Sequence, residues 1–151
     1  MTGIVSAPVV GPLEASAGTL LPPLRLTVSR DDLVRYAGAS TDFNPIHHSD
    51  RRALALGLPG VVAHGLLTMG LALRAVTDWV GGPTAVRSYS ARFVRPLVVP
   101  DDDRGAELVV QGRVAEELAD RFVVVLDVTC QDQPVLGRVK VEVDRPVEGA
   151  A

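Results

Sequence analysis

The chain has 151 residues, of which 47% are hydrophobic and 4% aromatic, so it suits a single domain whose core is built mainly from Val, Leu and Ala. Its formal charge of -3 gives no electrostatic case for a nucleic-acid partner, and its one cysteine, Cys130, allows neither an intrachain disulfide nor a cysteine-based zinc site. Because such cysteine usage fits a reducing compartment and no targeting segment is evident, we expect a cytoplasmic protein.

The first part of the chain predicts an irregular lead-in, a strand and two helices. Residues 1–20 are rich in Pro, Gly, Ala and Ser, which is typical of a flexible arm or of a segment lying over the surface. We place the domain at residues 21–145 and a short tail at 146–151. Alternation over residues 24–28 predicts a strand, and Ser29 with Asp32 forms a capping box for a helix that ends near Gly38. Ser49 then caps a second, short helix that reaches about Leu56.

A longer helix is predicted from about Ala63 to Val80. Apolar residues go nearly all the way round it, which favours a helix buried on most sides. His64, Arg74 and Asp78 within this stretch argue against a membrane span. Small residues along the helix would let a sheet approach closely; they are Gly65, Gly70, Ala72 and Ala75.

After Pro83 the pattern changes to a period of two and predicts four strands. They cover residues 85–94, 106–116, 121–131 and 135–143. The short connections predict that consecutive strands are antiparallel neighbours. The result is an α+β fold in which a curved antiparallel sheet wraps around the long buried helix. Because a single sheet over one helix leaves its strand edges exposed, we also expect a dimer.

The segment Thr41-Asp42-Phe43-Asn44-Pro45-Ile46-His47 is the first candidate site. Pro45 cannot donate a backbone hydrogen bond and pushes Asn44 toward an extended conformation, so the segment should be a rigid loop in which Asp42 and His47 can converge. A carboxylate and an imidazole around one water can transfer protons near neutral pH. The alternative is structural: Asp42 caps a turn, Asn44 and Pro45 make a bend, and His47 lies on the surface.

The start of the long helix is the second candidate site. The first backbone N–H groups of a helix have no intrahelical partner and lie at the positive end of its dipole. Gly65 has no side chain that would block an approach to its N–H. This N–H can therefore face an oxygen that gains negative charge during a reaction, which is the requirement for an oxyanion hole.

Two stretches resemble the hydratase 2 motif of the MaoC-like (R)-specific enoyl thioester hydratases and dehydratases, which are hotdog-fold proteins. They read YAGASTDFNPIH over residues 36–47 and VAHGLL over residues 62–67. The resemblance extends over about residues 24–144 and is most marked with the β subunit of the heterodimeric (3R)-hydroxyacyl-ACP dehydratases. It implies the hotdog form of the α+β fold.

The resemblance also implies an activity and a set of roles. The activity is reversible conversion between a (3R)-3-hydroxyacyl thioester of CoA or ACP and a trans-2-enoyl thioester plus water, in fatty-acid or polyketide metabolism. Asp42 and His47 would activate the water, and the Gly65 N–H would bind the thioester carbonyl. Asn44 would shape the loop or hydrogen-bond near the site, and His64 would have a structural or capping role. The expected partner is a second hotdog subunit, in a homodimer or a heterodimer.

Other possibilities stay open beside this interpretation. The hotdog fold also supports acyl thioesterases and non-catalytic partner subunits, although the complete motif favours hydration. Three histidines and one cysteine form no recognisable ligand cluster, so no metal or redox cofactor is expected. Arg87, Arg92 and Arg95 would either meet a phosphate of the thioester carrier or form a solvated strand face.

Overall fold

The computed structural model describes residues 9–147, and its elements follow the predicted order, with bounds within two residues of those expected. The strands and helices are β1 Leu24–Val28, α1 Arg30–Ser40, α2 Asp50–Ala55, α3 Gly65–Val80, β2 Val86–Phe93, β3 Ala106–Glu117, β4 Arg121–Cys130 and β5 Gln133–Asp144, with 3₁₀ turns at Pro45–His47 and Pro83–Ala85.

The sheet has five antiparallel strands in the order β1-β3-β4-β5-β2. The prediction that consecutive strands are neighbours holds from β3 to β5 but is wrong for β2 and β3, because β2 pairs with β5 at the far edge. The chain between β2 and β3 pairs instead with the segment before α3. The Ala63 amide donates to the Leu97 carbonyl at 2.8 Å, and the Val99 amide donates to the Val61 carbonyl at 2.9 Å.

Helix α3 packs most of its surface against the rest of the fold. Its buried residues are Thr68, Ala72, Ala75, Val76 and Trp79. They meet core side chains from the middle strands, such as Val110, Val124 and Val141, which are fully buried. The exposed positions of α3 form one stripe, at Leu66, Gly70, Arg74 and Asp78, and its other residues are buried or partly buried, so the predicted helix buried on most sides is confirmed. Only this outward stripe of α3 is left uncovered.

The segment before β1 lies along the edge of the sheet beside β3. Gly18 donates to the Val114 carbonyl at 2.8 Å, Leu21 donates to the Gly112 carbonyl at 2.9 Å, and Ala15 is buried. The Trp79 indole N–H, at the other end of α3, donates to the Val10 carbonyl at 3.0 Å. The predicted arm at 1–20 and tail at 146–151 extend beyond these residues, since 1–8 and 148–151 lie outside the described range.

An ion pair between Arg30 and Asp50 holds the segment that leads into α3. The guanidinium of Arg30 donates to both Asp50 oxygens at 3.0 and 3.1 Å and to the Val99 carbonyl. The Val61 amide donates to Asp50 at 3.0 Å. The Val61 hydrogen bond, followed by Arg30, holds the pKa of Asp50 below its usual 3.8, so the carboxylate is favoured in the folded protein.

We expect Asp50→Ala to lower the free energy of unfolding at pH 7 by about 1 kcal/mol, because a half-exposed carboxylate with charged and backbone donors is lost. A depressed pKa stabilises the fold above the unfolded pKa of about 3.9 and loses that effect as the pH falls through the folded value. The difference between wild type and variant should therefore shrink below about pH 4. Urea denaturation followed by Trp79 fluorescence measures this difference in the free energy of unfolding.

Asp78→Ala is the control, since Asp78 has only an exposed pair with Arg74 at 3.5 Å. Equal losses in both variants would contradict the role of Asp50.

Candidate active site

The loop between α1 and α2 is shaped by its own side chains. Thr41 ends α1 in the left-handed conformation, with φ at 60°. The Asp42 carboxylate accepts from the Asn44 amide at 3.2 Å, and the Asn44 side chain accepts from the Ile46 amide at 3.2 Å, which caps the 3₁₀ turn. Pro45 occupies the first position of that turn, where no amide is needed. The Asn44 side chain therefore caps the turn that follows it in this loop.

His47 is buried at the end of this turn with a defined tautomer. Its side chain lies 2.7 Å, through Nδ1, from the carbonyl oxygen of Val62. A carbonyl can only accept, so Nδ1 carries the proton and the neutral ring has a free lone pair on Nε2. Burial is the main cause that lowers the pKa of His47 below 6.5, and the Val62 carbonyl opposes it. The ring is therefore a neutral base near pH 7.

Asp42 and His47 face each other across a gap that one water can fill. Asp42 Oδ2 lies 3.8 Å from His47 Nε2, which is too long for a direct hydrogen bond. One water about 2.8 Å from each atom would bridge them. Both atoms are acceptors, so both protons of that water would point at the protein and its oxygen lone pairs would point outward. The acid and the base predicted from the sequence are thus brought together.

His64 links this loop to the start of α3. It is 2% exposed, and its Nε2 donates to the backbone carbonyl of Asp42 at 3.0 Å. Its ring stacks on His47, with centroids 3.7 Å apart and planes 23° apart, and Tyr36 packs against it at 4.8 Å. His64 occupies the N-cap position of α3 without a side-chain cap, so a structural role describes it and a capping role does not. Among the residues described, no group bonds to its Nδ1.

Gly65 begins α3 beneath an aromatic ring. Its amide is at the first helical position, where no intrahelical acceptor exists. A Cβ at Gly65 would lie 2.8 and 2.9 Å from two ring carbons of Phe93, so any other residue here requires this exposed ring to shift. The sequence did not single out Phe93, because nothing in the pattern of β2 indicates that its last residue reaches α3.

Two cavities meet at Gly65 and Phe93. One of about 340 Å³ is mainly apolar; its wall includes His47, Thr68 and Arg95 together with Ile46, Val62, Ala63, Leu97, Val135 and Leu136. The other, of about 330 Å³, is lined by Asp42, Tyr36, Ser40, His64 and Leu66. Asp42 and His47 therefore line different cavities, which share Gly65 and Phe93.

Three side chains at this centre lie as close together as metal ligands would. They are Asp42, His47 and His64, whose ligand atoms are all within 4.8 Å of one another. The arrangement fits a metal poorly. His64 already uses Nε2 in a hydrogen bond, and the lone pairs of two stacked rings lie in nearly parallel planes and do not converge on one ion. We therefore place no metal in the chemistry derived below.

The other side chains considered from the sequence lie apart from this centre or at its rim. Arg87 bonds to Asp120 and Asp144 at the end of the sheet. Arg95 lines the apolar cavity and has no ion pair among residues 9–147. Trp79 belongs to the core, whereas Tyr36 is half-buried at the site.

No helix in the described part of the chain is both long and apolar enough to cross a bilayer.

Comparison with known proteins gives a family match over most of the chain: the model described as "MaoC like domain" matches residues 14–130. The 3-hydroxybutyryl-CoA dehydratase of Methylorubrum extorquens is 33% identical over 129 residues, which cover 83% of this chain and 79% of that protein. The 3-hydroxyacyl-thioester dehydratase X of Mycobacterium tuberculosis is 39% identical over 84 residues, 53% of this chain and 28% of that protein. The chain thus spans about a quarter of the length of some relatives it matches, including peroxisomal enoyl-CoA hydratase 2 of Arabidopsis thaliana at 24%.

Solved structures give the same picture of the fold. A MaoC-like dehydratase superposes with a TM-score of 0.82 and 33% identity, over 89% of this chain and 42% of that one. R-hydratase PhaJ1 from Pseudomonas aeruginosa gives 0.78 and 25%, over 93% and 88%. A chain of the ChsH1-ChsH2 complex from Mycobacterium tuberculosis gives 0.75 and 25%, over 86% and 98%. The predicted hotdog fold is confirmed.

The hydrogen bonds of the two buried histidines assign the ring proton to one nitrogen in each, and NMR can test this assignment. We expect ¹⁵N long-range correlation spectra at pH 7.5 to place the proton of His47 on Nδ1 and that of His64 on Nε2, because each of these atoms faces a carbonyl. Because burial disfavours the charged imidazolium, His47 should stay neutral as the pH falls below 6.5. A His47 ring protonated on Nε2 at pH 7.5, or charged above pH 6.5, would contradict the assignment.

Proposed function

The chain belongs to the family of MaoC-like domains, and from this premise we propose that it reversibly hydrates trans-2-enoyl thioesters to 3-hydroxyacyl thioesters. The observation that carries the proposal is the 3.8 Å gap between the Asp42 carboxylate and a His47 nitrogen whose lone pair is free. A gap of this size accepts one water, and its two acceptors orient that water as a nucleophile. The dehydratase and hydratase relatives support the same chemistry.

In the hydration direction, the water oxygen forms a bond to C3 of the enoyl thioester and one water proton passes to the Asp42–His47 pair. The electrons of the C2–C3 double bond move toward the thioester carbonyl and give an enolate. The pair then returns the proton to C2, so that water is added across the double bond and no other reactant is needed. The reverse sequence removes water from the 3-hydroxyacyl thioester.

The Gly65 amide would stabilise the enolate oxygen. It lies at the first position of α3, whose dipole favours negative charge there. Gly65 also lines both cavities, so a carbonyl at this point has its C3 within the cavity system that contains Asp42 and His47. A fixed donor of this kind costs no reorganisation during the reaction.

Addition of water and of the proton from one pair places both on the same face of the substrate, and we assign the product the (3R) configuration. The similarity to R-hydratase PhaJ1 supports this choice. The acyl carrier would be CoA or the phosphopantetheine arm of ACP.

A second hotdog subunit is part of the proposal. Strand β2 is an edge of the sheet, and Phe93 and Val94 at its end are 54% and 46% exposed. Open strand edges and exposed apolar groups are normally covered in stable proteins. The likeness to a chain of the ChsH1-ChsH2 complex supports such a partner. Sedimentation of the purified chain separates a homodimer from a monomer that needs a different subunit.

The catalytic test measures loss of enoyl absorbance with crotonyl-CoA and longer enoyl-CoA or enoyl-ACP substrates, with a chiral assay of the product. We expect Asp42→Asn and His47→Gln each to lower kcat about 100-fold or more, because the amide that replaces each side chain cannot take up and return a proton of the catalytic water. His48→Gln, which changes an exposed histidine, should leave the rate unchanged. Chelation by EDTA should have no effect.

Three outcomes of that assay would overturn the proposal. Full activity in either variant would refute the role of the pair. Release of free thiol without a change in enoyl absorbance would favour a thioesterase. An inactive chain that remains inactive with every hotdog partner tested would favour a non-catalytic subunit.

The role of the Gly65 amide gives a separate prediction. Gly65→Ala should lower kcat at least about tenfold, a loss of about 1.4 kcal/mol, because the added Cβ overlaps the Phe93 ring and displaces the groups at the helix start. Gly70→Ala in the same helix is the matched control, since its Cβ meets nothing within 4 Å and both variants gain helix propensity. The control should be folded and fully active.

A folded Gly65→Ala variant with wild-type kcat would show that the thioester carbonyl is bound elsewhere. Thermal melting decides whether the variant is folded, and the exposed Phe93 ring can move enough to keep it so. Adding Phe93→Ala to Gly65→Ala then separates two causes of the loss. If the damage comes from the displaced ring, the double variant loses less than the sum of the single losses.

A further inference from the structure

Phe93 stands where the two cavities of the site meet. It is the last residue of β2, opposite Leu136 of β5, and its ring covers the start of α3. The side chain is 54% exposed, so it contributes less to the core than to the shape of this surface. It lines both the apolar cavity with His47 and the smaller cavity with Asp42.

The way in which an enoyl thioester would lie in the site determines what Phe93 contacts, and this inference rests on the proposed function. With the carbonyl at Gly65 and C3 between Asp42 and His47, the acyl tail must continue beyond C3, whereas the sulfur and its carrier must leave on the other side of the carbonyl. The apolar cavity suits the tail, because apart from His47, Thr68 and Arg95 its side chains are apolar. The cavity with Tyr36, Ser40 and Asp42 suits the polar carrier arm.

We propose that Phe93 is a specificity-determining residue that limits the size of the acyl group. Its ring forms the wall between the two cavities, and the apolar one, at about 340 Å³, is near the lower end of ligand-site volumes. Three of the other apolar wall residues, Leu97, Val135 and Leu136, are each 3% exposed and belong to the core. Phe93 and Val94 are exposed, and of these two Phe93 is the one that lines both cavities, so its substitution changes the wall between them without opening the core.

The experiment is a graded series at this position, Phe93→Trp, Phe93→Leu and Phe93→Ala, tested with trans-2-enoyl-CoA substrates of 4, 8 and 12 carbons. We expect the ratio of kcat/KM for the 12-carbon substrate to that for the 4-carbon substrate to fall about tenfold in the Trp variant. The ratio should rise at least about tenfold in the Ala variant, with the Leu variant between Ala and wild type. Leu56→Ala, which shortens a 72% exposed side chain lining neither cavity, should leave the ratio unchanged.

A second measurement separates the size limit from the reaction itself. Saturated butyryl-, octanoyl- and dodecanoyl-CoA cannot be hydrated, so calorimetric titration reports only whether the acyl group fits. We expect the same order, with dodecanoyl-CoA gaining affinity over butyryl-CoA from Trp to Phe to Leu to Ala. If wild type shows no turnover but the binding order holds, the proposed reaction fails and the size limit stands. Folded variants whose chain-length preference stays within twofold of wild type in both measurements would overturn the role of Phe93.

Discussion

The hydrogen bond from the His47 ring to the Val62 carbonyl, 2.7 Å long, is the contact on which the chemistry of the site depends. It places the ring proton on Nδ1 and leaves the lone pair of Nε2 directed at the gap with Asp42. The carbonyl is itself held in place, because residues 61–63 pair with residues 97–99 and Asp50 binds the Val61 amide. A base of defined tautomer is thus produced by backbone pairing at some distance from the reacting atoms.

Local physical chemistry in the sequence predicts a large part of this structure. The period of two after Pro83 identified four strands, and the capping box at Ser29 and Asp32 identified the start of α1. These features depend on residues close in the chain, as do the hydrogen bonds that Asp42 and Asn44 make within their own loop. The convergence of Asp42 and His47 followed from the rigidity that Pro45 gives to the same short segment.

The features that sequence reasoning got wrong or missed depend on contacts between distant segments. Strand β2 crosses to the far edge beside β5, which no local pattern encodes. His64 was expected to have a structural or capping role, but the sequence did not indicate its contact, in which Nε2 reaches back to the carbonyl of Asp42, 22 residues earlier. Phe93 was missed because its contact with Gly65 depends on where the end of β2 lies in the fold.

The docking of the lead-in segment provides the molecule with a built-in optical reporter. Trp79 is the chain's one tryptophan, and its indole packs against Phe122 while its N–H bonds to Val10. Trp79 and Gly65 lie near opposite ends of α3, about 21 Å apart along a helix that rises about 1.5 Å per residue. Intrinsic fluorescence should therefore follow the attachment of the lead-in to the domain, and a ligand bound at Gly65 would be too far away to alter the emission by touching the indole.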